Sequence, residues 1–147
     1  VKGPLTIRGH HLLCIQGFRG LGYSSEFISN FAQIAKTIHS NQNISLKLVC
    51  HADDICTCCP HLREGKCSKS DDAGKHVRSM DRAVLGLLQV SGDRIISAGE
   101  AYTQLAKVVQ RDGAEAVVER ICTGCEWMRF GFCVDGLKRL VLARNQA

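Results

Sequence analysis

Ile55-Cys56-Thr57-Cys58-Cys59-Pro60-His61-Leu62-Arg63-Glu64-Gly65-Lys66-Cys67 is matched, 66 residues later, by Ile121-Cys122-Thr123-Gly124-Cys125-Glu126-Trp127-Met128-Arg129-Phe130-Gly131-Phe132-Cys133. Both stretches space their cysteines as C-x2-C-x7-C. The match extends to Ile55/Ile121, Thr57/Thr123, Arg63/Arg129 and Gly65/Gly131. That is four identities at the ten positions outside the triads, where ordinary composition gives roughly one or fewer. The pair therefore reads as a duplicated ligand loop. In each, a tight C-x2-C turn directs two sulfurs to one centre, and the glycine two residues before the third cysteine lets the chain fold back. Arg63 and Arg129 are either counter-charges to thiolates, helix caps, or plain surface arginines.

The chain holds nine cysteines: 14, 50, 56, 58, 59, 67, 122, 125 and 133. An odd set cannot pair completely within one chain. No secretory signal is visible, so the expected setting is the reducing cytoplasm, where clustered cysteines read as metal ligands. Because the chain opens on Val1 rather than methionine, a removed or replaced leading segment is expected.

Each triad lacks a fourth ligand, and sites of this class normally take four. Cys14 is the leading candidate, because His10 and His11 stand four and three residues before it and share its helical face. His10 and His11 are additional candidate ligands. Cys50 and His51 flank the first loop and stay as alternatives. Cys58 aligns with Gly124 and reads as a bystander, and His61 aligns with Trp127, which cannot ligate. Zinc favours two short hooks that supply four ligands. Three closely spaced cysteines with one remote ligand suit a cubane better, although neither standard ferredoxin spacing is matched. The expected cofactor is an iron–sulfur cluster, two [4Fe-4S] clusters in all, with Zn or redox and structural thiols as the alternatives.

Around the loops the pattern is helical. Residues 10–19 read as a short helix. Ser24 is an N-cap before Phe27, Phe31, Ile34 and Ile38, in a helix that ends near Asn41. Ile44, Leu46 and Leu48 alternate as a strand, and residues 51–71 read as irregular. Val77, Met80, Val84 and Leu88 mark a third helix that stops at Ser91–Gly92. Ser97 and Glu100 form a capping-box pattern for a fourth helix, closed by Gly113. A short helix over 114–121 and a last one near 135–144 complete the chain. The fold class is mostly α (small α+β), a single domain over residues 1–147 with one or two short strands and two duplicated cysteine-rich loops (56–67 and 122–133).

Composition supports this and excludes some classes. At 147 residues, 45% hydrophobic and 22% charged, the chain suits one globular domain. No apolar run reaches the roughly 20 residues that span a bilayer, so no membrane partner is expected. The formal charge of +5 counts every cysteine as neutral. Metal-bound thiolates would offset it. With 5% aromatic residues and no basic-aromatic stripe, nucleic acid is not an expected partner.

Arg8-Gly9-His10-His11-Leu12-Leu13-Cys14, Asp53-Asp54-Ile55-Cys56, Cys59-Pro60, Cys67 and Cys122-x-x-Cys125-x-Trp127…Gly131-x-Cys133 together resemble a bacterial and archaeal family catalogued as domain of unknown function 1284. The resemblance covers nearly the whole chain. It departs at Gly9, where that family often has proline, and at Cys58, which lies outside its pattern. It implies suspected iron–sulfur binding through Cys14 and the two triads, and no assigned reaction.

Three functions fit these readings. The first is electron transfer or cluster-based redox chemistry with an unidentified redox partner protein or small molecule. The second is an enzyme in which an iron lacking one cysteine ligand acts as a Lewis acid on a small substrate, with His10 or His11 as ligand or acid–base group. The third is a structural zinc module.

Overall fold

The computed structural model describes residues 3–145 as a mostly helical fold on a small sheet. Strand β1 (Leu5–Arg8) leads into α1 (His11–Gly17) and α2 (Ser25–Ser40), which return the chain to β2 (Ser45–Val49). β1 and β2 are parallel, with Leu5 opposite Leu46 and Arg8 opposite Val49. The two-residue hairpin strands β3 (Leu62–Arg63) and β4 (Lys66–Cys67) follow, then α3 (Ala73–Leu88) and β5 (Ile95–Ser97). β5 pairs antiparallel with β2, giving a sheet of order β1-β2-β5. Helices α4 (Ala98–Asp112), α5 (Ala114–Cys122) and α6 (Phe132–Asn145) close the chain. No helix among the described residues is long and apolar enough to cross a membrane.

The element boundaries follow local chemistry. The Ser24 hydroxyl accepts the Phe27 N–H at 3.1 Å and opens α2, and Phe27, Phe31, Ile34 and Ile38 form its buried stripe. The Ser97 hydroxyl accepts the Glu100 N–H at 3.0 Å, the N-cap half of a capping box. The Glu100 carboxylate faces Arg94 instead, at 3.8 Å. Gly113, at φ 91°, separates α4 from α5 in a conformation that favours glycine.

Two contacts fix α1, the helix that carries Cys14. The fully buried Tyr102 of α4 donates its hydroxyl to the Leu12 carbonyl at 3.0 Å. On another side α1 crosses α6 at glycines. A Cβ on Gly17 would stand 2.6 Å from the Cys133 Cα, and one on Gly136 would stand 2.1 Å from the Gln16 carbonyl oxygen. Both distances are far inside contact range, so only glycine permits this approach. Cys133 thus lies in the backbone-to-backbone contact itself, and Cys14 stands one helical turn before it, at Gly17.

Candidate metal centre

Each C-x2-C segment makes the same pair of turns. The Cys59 N–H donates to the Cys56 carbonyl at 2.9 Å, and the Cys125 N–H to the Cys122 carbonyl at 2.8 Å. One step on, Leu62 donates to Cys59 at 3.1 Å and Met128 to Cys125 at 3.2 Å. Gly65 and Gly131 then take left-handed φ values of 76° and 72°. Beyond this point the segments diverge. Glu64 (φ 50°) and Gly65 form a two-residue turn of the primed type, and Cys67 lies on β4, opposite Leu62. The second segment instead starts α6 at Phe132, with Cys133 in the first turn.

A cavity of about 420 Å³ lies between these segments and α1. Cys14, Cys56, Cys59, Cys67, Cys122, Cys125 and Cys133 all line it, together with His10, His11, His61 and His76. Cys50, His51 and Cys58 are not among its lining residues. Cys58 and His51 are exposed, and His51 Nδ1 lies 2.9 Å from the Ala52 carbonyl oxygen. Arg63 and Arg129 are also exposed and outside the lining, and Arg129 stacks over Phe130 at 4.9 Å. The cation beside a cavity sulfur is Arg8, whose Nη1 is 3.7 Å from Cys56 Sγ.

The thiols divide by their electrostatic neighbours. Burial raises Cys14 well above the ordinary thiol value, and Cys133, Cys122 and Cys125 add to the rise. Burial, then Cys133 and Cys125, pushes Cys122 up to about 12; burial and Cys125 push Cys133 up to about 11. Cys14 thus shares its electrostatic surroundings with the second triad. In the other half, Cys59 is raised by burial and by Cys67. Cys56 is pushed to about 12 by burial and Asp53.

Two buried carboxylates, Asp81 and Asp53, hold the histidines. Asp81, on α3, is fully buried. Its Oδ1 is 2.7 Å from His10 Nδ1, and its Oδ2 accepts from Arg8 Nε at 2.9 Å and Nη2 at 2.8 Å. Burial pushes this carboxyl up, yet His10 and Arg8 outweigh it and hold it below the usual range. His10 is lowered to about 4 by burial and by His11, so it is neutral at neutral pH. Asp53 Oδ2 is 2.8 Å from His11 Nδ1 and accepts the Arg8 N–H at 2.7 Å; its Oδ1 accepts the Cys56 N–H at 3.0 Å. Burial raises Asp53, but His11 and these N–H groups win and hold it at about 2. Metal-binding histidines characteristically donate their second ring N–H to such a carboxylate.

Sulfur spacing tests which metal the residues fit. A tetrahedral zinc site with Zn–S near 2.3 Å sets its sulfurs about 3.8 Å apart. Among the described residues, the one set of three ligand atoms all within 4.8 Å is His11, Asp53 and Cys56. No three cysteine sulfurs are that close. A cubane spreads its cysteines further, because four irons and four sulfides stand between them. Seven cysteine thiols lining one cavity are a donor set that suits a thiolate-bound ion or cluster.

Asp81 was not visible as a site residue in the sequence, although a signal existed. It stands between Met80 and Val84 on the apolar face of α3, where a charge needs a buried partner. Asp53 was visible only as a neighbour of Cys56.

A family model described as "Protein of unknown function (DUF1284)" matches residues 22–131. That span includes the first triad, Cys122 and Cys125, and leaves Arg8–Cys14 and Cys133 outside. No curated protein and no solved structure matches the chain.

Proposed function

The chain belongs to the family of unknown function DUF1284, and from that premise we propose that it is an iron–sulfur protein carrying two [4Fe-4S] clusters for electron transfer or cluster-based redox chemistry. One centre uses Cys14, Cys122, Cys125 and Cys133, and the other uses Cys56, Cys59 and Cys67. The observation that carries this reading is the shared cavity: seven cysteines from three separate parts of the chain line it, while Cys50 and Cys58 do not. Its support over zinc is the ligand pattern, three closely spaced cysteines with one remote cysteine in place of the two short hooks of a zinc site. Two clusters behind one cavity wall would exchange electrons with each other and with a redox partner that reaches the cavity mouth.

Serine variants of the seven cysteines, reconstituted anaerobically, test the assignment. Iron and sulfide should fall by about one cluster in each variant. Cys14, Cys122, Cys125 and Cys133 variants should lose the same spectroscopic signal, and Cys56, Cys59 and Cys67 variants the other. If Cys14→Ser groups with the first loop, or leaves both signals intact, the assignment is wrong.

A further inference from the structure

Arg8 lines the cavity yet is only 3% exposed. Its place is fixed from both ends. The backbone N–H donates to Asp53 Oδ2 at 2.7 Å, and Asp53 Oδ1 accepts the Cys56 N–H at 3.0 Å, so one carboxylate ties β1 to the loop that carries Cys56. The guanidinium is held by Asp81, which accepts from Nε at 2.9 Å and from Nη2 at 2.8 Å. Two bonds of this kind fix the plane of the group as well as its position.

Nη1 lies outside that fork, and its partner is a sulfur: Cys56 Sγ, at 3.7 Å. A buried cation needs its donors aimed at groups that carry negative charge. Asp81 is one such group, and Cys56 becomes a second when it is a metal-bound thiolate. Among the described residues, no other side chain donates to the sulfur of a cavity cysteine. The Thr57 hydroxyl contact, at 4.0 Å, is to Cys58, which does not line the cavity.

We infer that Arg8, with Asp81 as its positioning residue, raises the reduction potential of the cluster that Cys56 ligates, by donating an Nη1–H to the ligand sulfur and holding a fixed positive charge beside it. This rests on the iron–sulfur reading. Reduction adds one electron to the cluster from a one-electron carrier. No bond to Arg8 forms or breaks and no proton leaves it, because a guanidinium stays charged at every working pH. Net charge and hydrogen bonds at the sulfurs set a cluster's potential, and both act here to stabilise the added electron. Burial keeps the attraction strong, because little water lies between the charges to weaken it.

Redox titration of the holoprotein and its Arg8→Gln and Arg8→Lys variants tests this, with Cys56→Ser to identify the cluster concerned. Arg8→Gln should keep the iron and sulfide of both clusters. It should lower the potential of the cluster whose signal Cys56→Ser removes. The expected size is at least a tenfold fall in the one-electron reduction constant, which is about 59 mV. Arg8→Lys, which keeps the charge, should recover part of that fall. The shift should persist at high ionic strength, because the pair is buried and salt screens it little. Two full clusters with unchanged potentials in Arg8→Gln would overturn the inference and leave the iron–sulfur reading standing. A larger shift at the cluster that survives Cys56→Ser overturns it as well. Absence of iron and sulfide from the reconstituted unmodified protein overturns both. Should Arg8→Gln not fold or not load, pulsed EPR of the reduced unmodified protein with 15N-labelled arginine decides. Weak coupling to a guanidinium nitrogen at the Cys56 cluster supports the inference, and its absence overturns it.

Discussion

Asp81 shows how much one side chain can organise. It is the shared acceptor of Arg8 and His10, and all three are buried. Changing Asp81 to Leu strands the Arg8 guanidinium without its partner, and breaking a buried pair on one side costs about 3–5 kcal/mol. Denaturant unfolding of the Asp81→Leu apo-protein should show a loss of that size; a change under 1 kcal/mol would mean that Arg8 is not held as described. Cys58→Ser is the contrasting case. Cys58 is exposed and does not line the cysteine cavity, so metal content, spectra and stability should stay unchanged. A lost signal would place Cys58 in a site. At this scale the cysteine pattern was legible in the sequence because spacing and repetition are local properties. The carboxylate partners were not, because Asp81 reaches His10 across 71 positions and no spacing rule connects them.

Between elements, the crossing of α1 and α6 sets Gly17, one turn after Cys14, against Cys133. Gly17→Ala would place a Cβ within 2.6–2.8 Å of Cys133 atoms. The helices must then separate, at a cost of about 1–3 kcal/mol for overpacking. The expected outcome is loss of the second-loop cluster signal with the first retained. An unperturbed signal would show that the approach does not matter to the site. The helices themselves were legible: caps at Ser24 and Ser97, apolar stripes and the stop at Gly113 are encoded within a few residues. The last helix begins three residues before the expected position, which puts Cys133 inside its first turn. β1, β5 and the β3–β4 hairpin were not anticipated. β1 and β5 are defined by pairing with β2 across long stretches of chain. The hairpin turns on Glu64–Gly65 rather than the Asn-Gly or Asp-Gly pair that announces such turns.

For the molecule as a whole, the question is what orders residues 51–71. Fixing each residue costs roughly 1–2 kcal/mol of backbone entropy. Only Asp53 and Ile55 are buried in this stretch, and one buried isoleucine returns about 1.5–3 kcal/mol. Under the proposed function, ligation at Cys56, Cys59 and Cys67 would supply the main remaining stabilisation. One surface network assists: Lys69 Nζ bonds the Tyr23 hydroxyl at 2.6 Å and Glu126 at 2.7 Å, and Trp127 Nε1 donates to Tyr23 at 3.1 Å, which ties the two loops together. Exposed pairs of this kind contribute about 0–1 kcal/mol, too little to replace a cluster. Chelation or oxidative cluster loss should therefore make residues 51–71 the first site of limited proteolysis, and an unchanged cleavage pattern would contradict that. The proposed function stands or falls with the occupant of the cavity. The most direct measurement is iron, acid-labile sulfide and the visible absorption spectrum of protein purified without oxygen. The expected result is a brown protein with a broad visible band and about eight irons and eight sulfides per chain, the content of two [4Fe-4S] clusters. A colourless protein with stoichiometric zinc and no sulfide would contradict it.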